Sequence, residues 1–376
     1  MKDWISLNMT PGVGPRAATM LLERFGSPSA VFHARRGELE NLRLGPETVE
    51  SLLKREFEEK ADEELERVKE IGGDVLVLDD GSYPNLLREI ADPPITLYVR
   101  GNWQECFDQP CVGMIGSRKC STYGINAAEM LSRDLASRGV TVISGLARGI
   151  DAAAHRGAIA AGGRTVGVLG TGIDGVYPKE NTKLADEIVA SGGALVSQFP
   201  LGTPPLSANF PFRNRIISGL SYGVVLVEAT ERSGSLITAR LATEQNREVM
   251  AVPGNITSRT SIGTNFLIKA GAKLVQQWQD IVAEFPSEIA AAIMPPKPDG
   301  KESSPKMPKQ QELEPAGLND KERKIWALLT PDEPVHIDIL VEQSGLNFGE
   351  LNGVLVALDI RDLIRVLPGK HYARRI

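Results

Sequence analysis

The stretch that decides the fold is Val112-Gly113-Met114-Ile115-Gly116-Ser117-Arg118. A short apolar run ends in a glycine-containing turn, and a helical pattern follows it. That order predicts a buried strand, a tight turn and a helix whose N-terminus faces the turn. Glycine lets the backbone approach a ligand there, and the N–H groups and helix dipole favour an anion. We therefore expect an anion-binding turn at Gly116, Ser117 and Arg118.

The same unit recurs along the middle of the chain, where short apolar strands alternate with helical stretches. This alternation predicts a parallel sheet that is covered by helices on both faces. A preceding strand, Val75–Leu78, is expected to join the sheet as an edge. The predicted strands of the parallel sheet are Val112–Ile115, Val140–Ser144, Thr165–Leu169, Ala194–Ser197, Gly223–Glu228 and Val249–Val252.

The region before the sheet is helical in pattern. Residues 1–73 contain Thr10-Pro11-Gly12-Val13-Gly14-Pro15, which indicates a helix-hairpin-helix or SAM-like domain. Such a glycine turn either holds a DNA phosphate through backbone N–H groups or only packs inside a helical bundle, and the sequence leaves both alternatives open.

The remaining chain divides into three parts. Residues 74–285 are predicted to form the Rossmann-like, doubly wound domain, and residues 286–316 a disordered proline-rich linker. Residues 317–376 predict a C-terminal winged helix-turn-helix. Its second helix carries Glu350 and Asp359 but no lysine or arginine, so protein contact or packing is favoured over reading of DNA. The fold class is α/β.

Composition limits the possible functions. The 376-residue chain has a net charge of -6, the wrong sign for coating nucleic acid by bulk electrostatics, so a nucleic-acid site must be a local basic pocket. The N-terminus lacks the apolar core of a secretory signal, and no apolar run approaches the roughly 20 residues that span a bilayer. We expect a cytoplasmic protein without a membrane span. Cys106, Cys111 and Cys120 have neither metal-ligand spacing nor a nearby histidine, so neither a metal site nor a disulfide framework is expected.

Two further glycine-rich turns follow the second and third predicted strands of the parallel sheet. They are Ser144-Gly145-Leu146-Ala147-Arg148 and Gly170-Thr171-Gly172. Because the carboxyl ends of parallel strands meet at one edge, the three turns should form one anion-binding surface. The alternative is that these glycines serve only the tight turns.

Several enzyme motifs are matched only in part. The first turn lacks the third glycine, and the acidic residue about 20 positions later, that NAD binding requires. Gly219-Leu220-Ser221-Tyr222-Gly223 has the letters of a nucleophile elbow but the wrong order of elements, and His155 is the only histidine of the domain. Gly170–Gly175 lacks the lysine of a P-loop. We expect no catalytic residue, no cofactor and no enzyme activity.

The densest local charge is Phe210-Pro211-Phe212-Arg213-Asn214-Arg215. Aromatic rings stack on unpaired bases, and guanidinium groups hold phosphates. The alternative is a helix start with core phenylalanines and ordinary salt bridges. We favour a binding site, because Arg118 and Lys179 are expected at the same edge of the sheet.

These residues resemble the ordered motifs of the DNA-processing protein A family, also called DprA or Smf. The resemblance covers roughly residues 75–284, and both flanking regions are similar to the family's usual accessory domains. The motifs that carry it are Gly116–Arg118, Ser144–Asp151, Tyr177–Asn181, Phe210–Ser218, Ser233–Ala239 and Val252–Gly254.

The resemblance implies a function and a set of partners. The protein would bind single-stranded DNA without strong sequence preference, protect incoming DNA during natural transformation (competence), and help to load the RecA recombinase for DNA recombination. It would act as a homodimer. By motif, the DNA-binding residues would be Gly116, Ser117, Arg118, Ser144, Gly145, Lys179, Asn209, Phe210, Arg213, Asn214 and Arg215.

One departure concerns Ser207, Ala208 and Asn209, which lack a lysine that some members place just before the phenylalanine. This departure would weaken affinity or shift the phosphate load to Lys179 and Arg215. The homodimer is expected to form through Asn255–Lys273, a stretch that offers the apolar side chains Ile256, Ile262, Phe266 and Leu267.

An enzyme is the main alternative, because the expected fold also resembles nucleotide phosphoribohydrolases of the lysine-decarboxylase-like group. Those carry Pro-Gly-Gly-x-Gly-Thr-x-x-Glu with a catalytic glutamate, and residues 227–238 lack that pattern. A third possibility is an adaptor that binds only protein, which would have no need of the aromatic and arginine cluster.

Overall fold

The computed structural model describes residues 1–294, 315, 317–331 and 334–375. A helical region precedes a nine-stranded sheet, and a three-stranded sheet with helices follows it. Among the described residues, no helix combines the length and the apolar character needed to cross a membrane. The helices of the first region are α1 Lys2–Met9, α2 Pro15–Phe25, α3 Pro28–Phe32, α4 Arg36–Glu40, α5 Pro46–Lys54 and α6 Glu58–Glu70.

The large sheet and its helices occupy the middle of the chain. Its strands are β1 Gly73–Val77, β2 Thr96–Gly101, β3 Cys111–Ile115, β4 Thr141–Ser144, β5 Thr165–Val168, β6 Ala194–Ser197, β7 Gly223–Leu226, β8 Glu248–Ala251 and β9 Lys273–Leu274. Its helices are α7 Asn85–Arg88, α8 Trp103–Phe107, α9 Thr122–Ala136, α10 Ile150–Ala160, α11 Thr182–Ala190, α12 Asn209–Gly219, α13 Ser235–Glu244, α14 Ile262–Lys269, α15 Trp278–Val282 and α16 Ser287–Ile293.

The sheet order is β1-β2-β6-β5-β4-β3-β7-β8-β9. The strands from β6 to β9 pair in parallel, and β1 and β2 add an antiparallel edge. The predicted doubly wound, mainly parallel sheet is therefore confirmed. The chain order reverses between β3 and β7, and ligands of such folds bind beyond the carboxyl ends of the strands at this point.

The central strands are buried on both faces. Val142 and Ile143 are neighbours on β4, and each is 0% exposed, but they belong to apolar clusters on opposite sides of the sheet. Successive side chains of a strand point to opposite faces, so a strand covered on both sides needs an unbroken apolar run. This requirement explains why the strands could be predicted from short apolar runs.

The glycine turn of the helical region packs against α5. Gly12 has a φ of +81°, and an added Cβ would lie 2.2 Å from Oγ1 of Thr48. The Thr48 hydroxyl donates a hydrogen bond to the carbonyl of Pro11 at 2.9 Å. The turn thus has a packing role, and phosphate binding by it stays a prediction.

The C-terminal region forms the predicted winged helix. Its helices are α17 Asp320–Leu328, α18 Ile337–Ser344 and α19 Phe348–Ile360, and its strands are β10 Val335–His336, β11 Ile364–Leu367 and β12 His371–Arg374. Gly345 ends α18 in the left-handed conformation. The unit contacts α9, because Arg365 donates to Glu129 at 2.8 Å and Asn126 donates to the carbonyl of Pro331 at 3.3 Å.

The predicted linker is partly helical. Residues 287–293 form α16, and Ile289, Ala290 and Ile293 pack against the core beside Trp278. The prediction of disorder at 286–316 was wrong for this segment, because apolar residues at helical spacing precede the prolines. Residues 295–314 and 316 of the predicted linker lie outside the described residues.

A buried carboxylate joins the helical region to the sheet. Glu64 on α6 is 2% exposed, and its Oε1 accepts the backbone N–H of Leu201 at 2.6 Å. Burial raises the pKa of Glu64 above its ordinary value, although the Leu201 bond and nearby Arg67 oppose the shift. The folded state therefore binds this proton more tightly than the unfolded chain, so stability falls as pH rises from the ordinary carboxyl pKa through the folded one.

The Glu64→Gln variant should lose less stability than the wild type between about pH 4.5 and pH 7.5, because the amide keeps an acceptor for Leu201 without a charge. Urea unfolding followed by circular dichroism across that range measures the difference. The control is Glu63→Gln, a change at an exposed position of the same helix. A difference between Glu64→Gln and wild type that does not vary with pH would contradict the assignment.

Candidate nucleic-acid interface

A cavity of about 670 Å³ opens where the strand order reverses. Three segments line it: the turn after β3, the first turns of α12, and the loop that leads into α13. Ligand sites of folded proteins have volumes of roughly 300–1,000 Å³, so the cavity is large enough for a nucleotide. The lining residues that carry the argument below are Arg118, Lys119, Phe210, Asn214, Ser235 and Thr238.

The turn after β3 is held by its own hydrogen bonds and by a buried carboxylate. The Ser117 hydroxyl donates to the carbonyl of Lys119 at 2.9 Å, and the Ser117 N–H donates to the carbonyl of Glu228 at 2.8 Å. Glu228 is 2% exposed, and its side chain accepts the N–H and the hydroxyl of Ser121 at 2.8 and 2.6 Å. These bonds fix the backbone of the turn and leave the Arg118 side chain exposed.

Arg118 belongs to an aromatic platform, defined here as Arg118, Phe210 and Tyr177. The Arg118 guanidinium carbon lies 5.7 Å from the centroid of the Phe210 ring, and the Tyr177 ring centroid lies 5.6 Å from it. Tyr177 is 47% exposed. Sequence reasoning did not select Tyr177, although an aromatic residue two positions before Lys179 in a matched motif was an available signal.

A buried guanidinium connects α12 to the second glycine turn. Arg213 is 4% exposed and donates to the carbonyls of Gly145, at 2.6 Å, and Val168. Asp151 lies at the same turn, where its carboxylate accepts the N–H groups of Gly145 and Ala147 at 3.1 and 3.4 Å. Burial lowers the pKa of Arg213 to about 10, which still leaves it charged at neutral pH. Burial raises the pKa of Asp151, and Arg213 opposes that shift.

The structure brings most of the predicted site residues together. Gly116, Ser117, Arg118, Phe210, Arg213 and Asn214 line the cavity. Gly145 lines a small adjoining recess of about 50 Å³ that Arg118, Phe210 and Tyr177 share. Side chains spaced by three and four residues lie on one face of a helix, which explains why Phe210, Arg213 and Asn214 all reach the cavity from α12.

Four predicted residues lie outside the cavity lining. Lys179 is exposed in a short 3-10 helix, Lys179–Asn181. Ser144 is buried and donates to the carbonyl of Met114 at 2.6 Å, and Asn209 is 8% exposed and donates to the carbonyl of Gly170 at 3.1 Å. Arg215 is 3% exposed and donates to Asp92 and Gln198.

The placement of Arg215 differs from the prediction that put it in the site. A residue two positions along a helix from Arg213 points about 200° away around the axis, toward the opposite side. On that side the guanidinium is taken up by the Asp92 carbonyl and the Gln198 side chain.

The hydrolytic alternatives lack a site. His155 is 0% exposed, its Nδ1 lies 2.7 Å from the Thr165 hydroxyl, and burial lowers its pKa to about 3. Ser221 donates to the carbonyl of Ile217 at 2.8 Å. Burial raises the pKa of the Cys120 thiol to about 11. The described part of the chain contains no group of three or more His, Cys, Asp or Glu side chains that could hold a metal ion.

Two family models match the chain. Residues 74–286 match the model described as DNA recombination-mediator protein A, and residues 308–370 match the DprA winged helix domain. Protein Smf of Escherichia coli is 39% identical over 304 residues, which cover 79% of this chain and 76% of that protein. Protein Smf of Synechocystis is 33% identical, covering 99% of this chain and 98% of that protein. The DNA processing protein DprA of Streptococcus pneumoniae is 46% identical over 209 residues, 56% of this chain and 73% of that protein.

Solved structures are similar as well. The X-ray structure of DNA processing protein A from Streptococcus pneumoniae has a TM-score of 0.67 and 35% identity, and the match covers 76% of this chain and 98% of that one. DNA processing protein A of Helicobacter pylori, whose structure is described for its single-stranded DNA binding mode, has a TM-score of 0.50 and 28% identity. That match covers 56% of this chain and 97% of that one.

The Gly145→Ala substitution should destabilise the fold by about 1–3 kcal/mol, the range expected for overpacking. The added Cβ would lie 2.5 Å from the Arg213 guanidinium, which cannot move away because two carbonyls hold it. Gly234→Ala is the control, since its Cβ meets nothing within 4 Å and its backbone is helical; it should change stability by less than about 0.5 kcal/mol. Urea denaturation of both variants checks this, and equal stabilities would contradict the close contact.

Proposed function

This chain belongs to the DNA recombination-mediator protein A family, and from that premise we propose that it binds single-stranded DNA at the platform of Arg118, Phe210 and Tyr177. The observation that carries the proposal is an exposed guanidinium beside an aromatic ring at a glycine turn, at the reversal of strand order. Unpaired bases stack on aromatic rings, and guanidinium groups hold the phosphates between them.

The charges at the cavity favour a phosphate backbone. Its described lining contains Arg118, Lys119 and Arg213 against the single acid Asp151, whose carboxylate already accepts two backbone N–H groups. The cavity is therefore locally basic in a chain of net charge -6. Stacking tolerates every base, because every base has a π-face, so binding without strong sequence preference is the expected mode.

The proposal extends to the role that the family resemblance implies. In the cytoplasm the protein would protect incoming single-stranded DNA during natural transformation and help to load the RecA recombinase, and it would act as a binding protein without catalysis. Family membership supports this role. The phosphoribohydrolase alternative is not favoured, because residues 227–238 lack its motif and the relatives carry DNA-processing names.

A homodimer through α14 is part of the proposal. Ile256, Ile262 and Phe266 are 89%, 45% and 65% exposed, and exposed apolar patches commonly mark protein interfaces. Leu267, predicted at the same interface, instead packs against the sheet core. The proposed contact therefore consists of the first three side chains.

The Arg118→Ala variant should bind labelled oligo-dT about ten- to a hundredfold more weakly, because a charge-assisted phosphate contact contributes about 1.5–3 kcal/mol. The log–log salt dependence should flatten by about 0.7 for each phosphate that the variant no longer neutralises. Phe210→Ala should lose about 1–3 kcal/mol of binding with almost the same salt slope, because stacking releases no counterions. Fluorescence anisotropy across a salt series measures both quantities.

Arg240→Ala is the matched control for Arg118→Ala, since Arg240 is 71% exposed on its side chain, pairs with Glu244 and does not line the cavity. Its affinity and salt slope should equal those of the wild type. Circular dichroism confirms the fold of each variant. Wild-type affinity in both Arg118→Ala and Phe210→Ala would move the DNA site away from the platform.

The Phe266→Asp variant should be a monomer at micromolar concentration, where the wild type sediments as a dimer, because a carboxylate at the centre of an apolar contact must be desolvated. Phe266 is 65% exposed, so the fold should tolerate the change. Val366→Asp, at a 51% exposed position of the winged helix, is the control and should stay dimeric. A wild type that sediments as a monomer would refute this interface.

A further inference from the structure

Hydroxyl groups form the part of the cavity lining contributed by the loop before α13 and by its first turn. They belong to Thr230, Ser233, Ser235 and Thr238, and are called the hydroxyl wall below. The same stretch contributes Gly234 and Ile237 to the lining, but no lysine or arginine. The wall is therefore polar and uncharged, unlike the turn that carries Arg118 and Lys119.

The backbone N–H groups at the start of α13 already have partners. Those of Leu236 and Ile237 donate to the carbonyls of Ser233 and Gly234, each at 3.1 Å, and that of Ser235 donates to the Ser233 hydroxyl at 3.4 Å. A phosphate at a helix N-terminus is held by unpaired N–H groups or by nearby cations. This wall offers neither for a phosphate, so its side-chain hydroxyls are the groups left to meet a ligand.

The Thr238 hydroxyl is the least satisfied of these groups. Thr238 is 2% exposed, lines the cavity, and its hydroxyl has no hydrogen-bond partner among the described residues. Ser233 and Ser235 bond to one another, with 2.7 Å between their hydroxyl oxygens. A buried hydroxyl without a partner costs free energy, and a ligand that supplies a hydrogen bond recovers it.

We propose that the hydroxyl wall, with Thr238 at its centre, hydrogen-bonds the edge of an unpaired nucleobase whose phosphate and face are held by Arg118 and Phe210. The proposal deepens the proposed single-stranded DNA binding and rests on it. A base edge is neutral and carries both donors and acceptors, which matches a wall of neutral groups. The wall and the platform line one cavity, so one nucleotide contacts both.

Hydroxyl groups also match binding without sequence preference. A serine or threonine hydroxyl rotates and serves as donor or acceptor, whereas an amide or guanidinium presents a fixed pattern that selects one base. The hydroxyl wall therefore accepts the edge of any base. Asn214, which also lines the cavity, has its Oδ1 engaged by Nε of Arg213 at 3.2 Å, so its fixed pattern is partly occupied.

The test removes one hydroxyl and compares two probes. Thr238→Val keeps the shape of the side chain, and Thr238→Ser keeps the hydroxyl. Each variant is titrated with fluorescein-labelled dT12 and with a matched oligomer in which tetrahydrofuran replaces every base. Thr238→Val should bind dT12 about three- to tenfold more weakly, the usual effect of one hydrogen bond, and the abasic oligomer like the wild type. Thr238→Ser should bind both probes like the wild type.

Two outcomes would overturn the inference: equal binding of dT12 by Thr238→Val and wild type, or an equal loss of affinity for both oligomers, which would assign Thr238 to the backbone or to the fold. Ser235→Ala repeats the comparison if Thr238→Val fails to fold. Arg118→Ala separates the two levels. If that variant loses affinity and the hydroxyl variants do not, the base-edge contact alone fails; if the wild type does not bind dT12, the proposed function fails.

Discussion

The candidate site depends on how one buried guanidinium is satisfied. A charged group removed from water needs hydrogen-bond acceptors, and Arg213 finds them in the carbonyls of Gly145 and Val168. These carbonyls lie at the carboxyl ends of β4 and β5, so the bonds bring α12 onto the edge of the sheet. Phe210 and Asn214 reach the cavity because they share the face of α12 that Arg213 fastens there.

The approach of α12 explains two of the glycines that could have served only their turns. A Cβ on Gly145 would lie 2.5 Å from the Arg213 guanidinium, and a Cβ on Gly170 would lie 2.9 Å from the Phe210 ring. Glycine is thus required at both positions by the close contact with α12. The sequence pattern suggested one anion-binding surface built from three equivalent turns. In the structure, the turn at Gly116–Arg118 presents the exposed cation, and the other two turns provide space for the helix opposite it.

The strands and the location of the site could be predicted because both follow from periodic, local patterns. A parallel sheet buried on both faces requires unbroken apolar runs such as Cys111–Ile115, and the carboxyl ends of its strands share one edge. The direction of single side chains could not be predicted in this way. Arg213 and Arg215 are equivalent in composition, but their positions around α12 place one at the cavity and the other against Gln198. Helix α16 was missed because proline content was averaged over a segment whose first residues lack proline.

The turn that carries Arg118 is already ordered without DNA, and the cause lies in Glu228. This buried carboxylate accepts hydrogen bonds from Ser121 and from Thr260, at 2.9 Å, and its carbonyl accepts the N–H of Ser117. Each of these donors belongs to a different part of the loop region at this edge of the sheet. Because the bonds exist within the protein, a bound strand does not have to order the backbone of the turn, and only the Arg118 side chain remains to be fixed. The entropic cost of binding is therefore smaller, so a single exposed arginine can contribute more to affinity than the chain's net charge would predict.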